Sequence, residues 1–256
     1  MRKLPVWSKA ALVAGMFAYG LFAVAVIMPL LHRVAGRHAE RAFEPIRAGW
    51  CRTLCRILGV SLEIAGEPSP DARLLVANHV SWLDILVLGA SGPMVFVAKE
   101  EVSDWPVMGY LARHVGTLFV RRGDAEQTAV TAERMAWTLR QGKRLMLFPE
   151  GTTTAGDKVL RFHARLLAPA QLAHVPVQAV AIEYLGDARN VAPFIGEDEF
   201  LPHLLRVLML ESIAMRMHYC PVLPAGIPRD TLAQTARRQV AGALFGVAEA
   251  KVGAGR

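Results

Sequence analysis

His79 and Asp84 stand five residues apart in the stretch ANHVSWLDILVL, residues 77–88. A neutral imidazole takes up a proton near pH 7, and a carboxylate beside it fixes the tautomer and favours the imidazolium as it forms. Five residues is too wide a spacing for two side chains stacked on one face of a straight helix. A loop that doubles back must bring them together. Ser81 lies between them but outside a G-x-S-x-G elbow. The pair therefore points to a base that deprotonates the substrate's own hydroxyl. The ordinary alternative is a helix-start histidine and an aspartate that only caps, and from the pair alone that alternative prevails. Other residues must shift the balance.

Two further clusters do so. Lys99 follows the apolar run 95–98, and Arg121-Arg122-Gly123 follows the run 117–120. Arginines at a strand end clamp phosphate or carboxylate through paired donors. Phe148-Pro149-Glu150-Gly151-Thr152-Thr153-Thr154 follows a third run, at 145–148. A glycine and three hydroxyls there offer a cradle for a polar head group, and Glu150 offers an orienting or arginine-pairing carboxylate. A solvated basic turn and a plain Thr-Gly turn are the ordinary readings. There is no Walker A loop, H-E-x-x-H or G-x-G-x-x-G, and no metal or nucleotide cofactor is implied.

The elements that must carry these residues alternate. Strands are expected at 60–64, 74–77, 95–98, 117–120, 145–148 and 177–182. The period-2 pattern of Ile213, Met215, Met217 and Tyr219 against Ser212, Ala214, Arg216 and His218 predicts a half-exposed strand. Helices are expected at 124–141, with Asp124 and Gln127 as a capping box and Gly142 as its stop, and at 200–209 and 229–248. Alternation of this kind predicts an α/β fold with a mixed central sheet flanked by helices, its strand ends forming the site.

The N-terminal part differs. Residues 10–31 carry no charge, and basic residues flank them on both sides. Twenty-two residues suffice to cross a hydrocarbon core of about 30 Å, although Gly15, Gly20 and Pro29 leave an interfacial hairpin open. A basic helix at 37–58 follows. The expected division is a membrane anchor with its interfacial helix at 1–58 and a catalytic domain at 59–256. The formal net charge of +7 and 53% hydrophobic residues suit an anionic membrane surface. No basic-aromatic alternation suggests nucleic acid. Three cysteines give no disulfide framework, and Cys51 and Cys55 lack the companions of a metal site.

NHVSWLD, GTLFVRR, FPEGTT and VPVQAVAI, in this order, resemble the four motifs of the glycerolipid acyltransferases, the 1-acyl-sn-glycerol-3-phosphate and related lysophospholipid acyltransferases. The resemblance covers about residues 74–184. It implies transfer of an acyl chain from acyl-CoA or acyl carrier protein to the free hydroxyl of a lysolipid, such as 1-acyl-sn-glycerol-3-phosphate. His79 would be the general base and Asp84 its support. Asn78, Lys99, Arg122, Glu150, Gly151, Thr152 and Thr153 would hold the acceptor, and residues 175–177 would shape the acyl side. The enzyme would work at the cytosolic face of the inner membrane, with membrane lipids as its partners and no metal. Thr153 stands where phosphatidate-forming members carry the arginine of E-G-T-R, and residues 161–165 depart from their F-K-x-G pattern. FPEGTTT looks more like members acting on other lysolipids, lyso-ornithine lipid among them. A non-catalytic lipid-binding module, and a lipid hydrolase using Ser81, are the rival readings.

Overall fold

A computed structural model describes residues 5–121 and 125–246. Arg122 and the capping residue Asp124 lie outside the described residues, as does the side chain of Gln127.

The chain opens with helix α1 (Val6–Phe22), a π-helical turn (Ala23–Ile27) and helix α2 (Met28–Ala35). The wide turn has a cause in the sequence. Pro29 has no N–H to give to the preceding turn, and its ring crowds the carbonyl four residues back. Gly36, at φ +52°, bends the chain into helix α3 (Ala39–Leu58). Strands and helices then alternate: β1 (Val60–Ala65), β2 (Leu74–Ala77), α4 (Leu83–Ser91), β3 (Val95–Lys99), α5 (Met108–His114), β4 (Leu118–Val120), α6 (Ala125–Arg140), β5 (Leu145–Leu147), α7 (Ala168–Ala173), β6 (Val177–Leu185), α8 (Ala188–Val191), α9 (Phe200–Leu208), β7 (Ile213–Leu223) and α10 (Arg229–Phe245).

Among the described residues, seven strands form one sheet in the order β1-β7-β6-β2-β5-β3-β4. β2 to β6 run parallel to one another. β7 lies antiparallel to β6, with β1 parallel to β7 at the edge. This is the expected mixed α/β sheet. The central strands β2 and β5 are buried throughout, as apolar runs covered on both faces must be. Leu75, Met146, Ile182 and Met217 pack under α3, α4 and α9. Leu74, Leu147 and Ala179 pack under α6 and α10. β6 and β7 outrun their predicted ends, because each continues to pair with the other beyond the apolar stretch. The short helices α5, α7 and α8 escaped prediction, being too brief to show a helical period.

The uncharged N-terminal stretch runs through α1, the π-helical turn and α2. The helical stretch Val6–Leu58 contains a window apolar enough to cross a membrane. Yet α1 also packs on the protein. Trp50 Nε1–H donates to Met16 O at 2.6 Å, and the buried Lys9 donates its ammonium to Leu210 O at 2.7 Å. Val13 shares a core with Leu54, Leu58 and the sheet. On its other side Trp7 is 84% exposed, with Leu12, Tyr19 and Phe22 also outward.

Candidate active site

β2 ends deep in the sheet, and residues 78–82 form its loop to α4. Asn78 turns inward at once. Its Nδ2 donates to Ile182 O at 2.9 Å, and its Oδ1 accepts Ile182 N–H at 2.8 Å. The expectation that Asn78 touches substrate is therefore corrected. Its fully buried amide is spent on the backbone of β6 and sets the loop's starting point.

His79 Nδ1 lies 2.8 Å from Asp84 Oδ2. The same oxygen accepts the N–H groups of Val80 at 2.8 Å and Ser81 at 3.0 Å. Asp84 stands in the first turn of α4, but the amides it accepts precede the helix, so it ties down the loop rather than capping α4. One carboxylate ties down the loop and holds the imidazole. Because a carboxylate only accepts, Nδ1 carries the proton and Nε2 is left as the basic nitrogen. The Asp84 side chain is wholly buried, whereas that of His79 is 18% exposed. The imidazole lies flat on Phe148, ring centroids 3.8 Å apart and planes 12° apart. The imidazole thus faces outward from a rigid seat.

Ser81 does not share that seat. It is fully buried, and its hydroxyl has no hydrogen-bond partner among the described residues. No hydrogen bond joins it to His79 Nε2, the nitrogen that would have to activate a serine nucleophile in a hydrolase.

β5 delivers Glu150 and Gly151 beside the same loop. Gly151 has φ +69°, a left-handed conformation that a side chain would strain. The reversal it permits brings Thr154 N–H to His79 O at 2.8 Å. Thr153 donates its hydroxyl to Phe194 O, and Phe194 N–H bonds Val80 O at 2.9 Å. Part of the expected head-group cradle thus turns inward. The hydroxyl of Thr153 and the amide of Thr154 clamp the histidine loop, and Thr152 is the exposed member of the run. Glu150 is also placed otherwise than expected. It is 3% exposed, its Oε1 accepts Leu160 N–H at 3.1 Å, and its Oε2 has no partner among the described residues. Burial pushes its carboxyl up to about 7, while the amides of Leu160 and His79 and the charge of Arg237 pull the other way.

Lys99 stands half-buried at the end of β3, two strands over from β2 and so about 10 Å across the sheet. Arg121, past the end of β4, pairs with Glu100 on the surface. Parallel strands bring all of these ends to one edge of the sheet. Arg122, the expected head-group clamp, lies outside the described residues.

An acyltransferase family model matches residues 62–183. A lyso-ornithine lipid O-acyltransferase of Pseudomonas aeruginosa is 39% identical over 251 residues, covering 97% of this chain and 96% of the relative. The chain belongs to the acyltransferase family. A 1-acyl-sn-glycerol-3-phosphate acyltransferase of Neisseria meningitidis is 32% identical, with 71% of this chain and 73% of the relative covered. The crystal structure of the 1-acyl-sn-glycerophosphate acyltransferase PlsC from Thermotoga maritima superposes with a TM-score of 0.58 at 18% identity. That match covers 97% of this chain and 100% of the other, and it shows the shared fold.

Two features of this acyltransferase have no signature in the sequence reading. The first is Tyr184, whose hydroxyl donates to the other oxygen of Asp84, Oδ1, at 2.6 Å. The two residues are a hundred apart in the chain, and only the register of β6 beside β2 joins them. The second is a largely apolar cavity, open in part to solvent, between the N-terminal helices and α4. Ile85 and Leu86, which directly follow Asp84, form one wall; Gly20, Val24, Phe43 and Trp50 form another.

Proposed function

We propose that this acyltransferase moves an acyl chain from acyl-CoA or acyl carrier protein to the free hydroxyl of a lyso-ornithine lipid, at the cytosolic face of the inner membrane. The observation that carries the chemistry is the outward-facing His79 seated on the buried carboxylate of Asp84. Nε2 takes the acceptor's hydroxyl proton as its oxygen attacks the thioester carbonyl. The tetrahedral intermediate collapses with loss of the thiolate, which takes the proton back from the imidazolium. Base, proton and leaving group balance without an acyl-enzyme. The apolar cavity that begins at Ile85 suits one hydrocarbon chain. Asn78, Glu150, Gly151 and Thr153 serve this chemistry by fixing the loop, while Lys99, Arg122 and Thr152 meet the acceptor.

The choice of acceptor is supported by the relative matched end to end and by Thr153, which replaces a cationic side chain. Phosphatidate formation is the second reading, supported by the 1-acyl-sn-glycerol-3-phosphate acyltransferases among the relatives and by the arginines at 121 and 122.

The test is direct. Purified full-length protein in detergent receives labelled acyl donor with lyso-ornithine lipid and 1-acyl-sn-glycerol-3-phosphate in parallel, and His79→Ala is run alongside. Transfer to lyso-ornithine lipid, lost by roughly a thousandfold or more in His79→Ala, is the expected result. Preference for the phosphate-bearing acceptor would replace the first reading by the second. Full activity in His79→Ala would remove the base.

A further inference from the structure

Asp84 is held from two directions, and the mechanism above uses only one of them. Oδ2 carries the imidazole and two loop amides. Oδ1 carries the phenol of Tyr184, at 2.6 Å and with both residues buried. Tyr184 reaches it from β6, the strand whose Ile182 backbone grips Asn78. Residues 182 and 184 of one strand therefore hold both ends of the catalytic loop. The Ser81 hydroxyl lies beside the Tyr184 phenol and makes no hydrogen bond to Asp84.

We propose that Tyr184 is a positioning residue for acyl transfer, one that sets how strongly Asp84 supports the charge developing on His79. This rests on His79 acting as the base. A short hydrogen bond from a neutral donor draws charge from the carboxylate and fixes its plane. With Oδ1 so occupied, Oδ2 offers the imidazole less negative charge than a bare buried carboxylate would. The base is thereby held in one tautomer and one orientation without being turned into a permanently protonated group. Burial first, and the nearby Asp84 charge second, keep the phenol protonated far above its ordinary range, so it acts as a donor at every working pH. The groups facing the pair are His79, Ser81 and the loop amides after β2, Glu150 after β5, whose carboxyl also lies near Asp84, and the Cys55 thiol from α3.

The experiment compares wild type, Tyr184→Phe and His79→Ala as full-length proteins in detergent, reading kcat, KM, the pH profile of kcat/KM and the melting temperature. Tyr184→Phe is expected to lower kcat about tenfold with little change in acceptor KM. It is also expected to move the acid limb of the profile to higher pH, because the unrelieved carboxylate favours the imidazolium. A tyrosine that only packs would lower the melting temperature and leave the limb where it was, and that result overturns the proposal. Replacing Tyr184 by 3-fluorotyrosine, nearly the same shape but a stronger donor, covers the case in which the phenylalanine variant does not fold. It must move the limb to lower pH, and an unmoved limb again overturns the proposal. If His79→Ala keeps its activity, the base assignment has failed. If only His79→Ala is inactive and both Tyr184 variants match wild type, Tyr184 alone has been misassigned.

Discussion

At the ends of β2 and β5 most polar groups are hydrogen-bonded inside the protein, Ser81 Oγ and Glu150 Oε2 excepted. Asp84 accepts four hydrogen bonds with none of its side chain exposed. The carbonyls of His79 and Val80 are taken by Thr154 and Phe194. At the ends of β3 and β4, on the same edge of the same sheet, the arrangement is looser. Arg121 and Glu100 pair in solvent, with side-chain exposures of 54% and 39%. The difference separates two tasks. Proton transfer tolerates little error in geometry and is built into the core. In the proposed function, recognition of the head group falls to a surface rim, where side chains change at small cost to the fold. A family with one reaction and several acceptors is what such a division allows.

The comparison breaks most visibly at Asp84. Asp84→Asn presents one accepting oxygen where two served four donors, and its amide opposes the imidazole N–H. Turnover is expected to fall by about three to four orders of magnitude, as for other His-Asp pairs with a reversed tautomer. The melting temperature is expected to fall by several degrees, since buried donors are left unpaired. Single-turnover rates beside thermal melts check both. An unchanged melting temperature would mean that the aspartate supports the histidine without organising the loop.

Glu150 sharpens the same comparison through pH. Its carboxyl sits at about 7 in the fold against an ordinary 4.5. Between those values the folded state holds the proton more tightly than the unfolded chain. Stability is therefore lost as pH rises through that window, by about 3 kcal/mol at most. Below the window both states are protonated and nothing is lost. Glu150→Gln removes the titration, so the wild-type melting temperature is expected to fall more steeply from pH 5 to pH 8 than that of the variant. Parallel curves would place the carboxyl in contact with water.

The smallest effect belongs to the rim. Arg121→Ala is expected to leave the melting temperature nearly unchanged while raising the acceptor KM a few-fold. An unchanged KM would take the β4 end out of the acceptor's path.

Much of the inner region was legible in the chain itself. Strands with continuous apolar runs, such as Leu74–Ala77, announce themselves by composition, and a histidine after one of them marks a strand end. The short-range meeting of His79 and Asp84 was legible as well, because a five-residue loop has few ways to close. Three things were not. Asn78 and Thr153 read as ligand donors, since a hydrogen-bonding side chain looks the same in sequence whether its partner is a substrate or a backbone 104 or 41 residues away. Tyr184 is invisible for the same reason, as its partner is chosen by strand register. The apolar cavity was hidden because half its wall comes from α1, the π-helical turn and α3, which composition alone marks for the membrane.

That last point bears on the ammonium of Lys9, buried against Leu210 O where α9 gives way to β7. A charged group so placed is a rivet between the first helix and the far end of the sheet domain. The leading helix cannot then be trimmed as a handle would be. Deleting it would strip a panel from the chamber beside Asp84 and leave the Leu210 carbonyl and Trp50 indole bare, so a soluble version of this enzyme is better sought by repainting the outward Trp7, Leu12 and Phe22 than by shortening the chain.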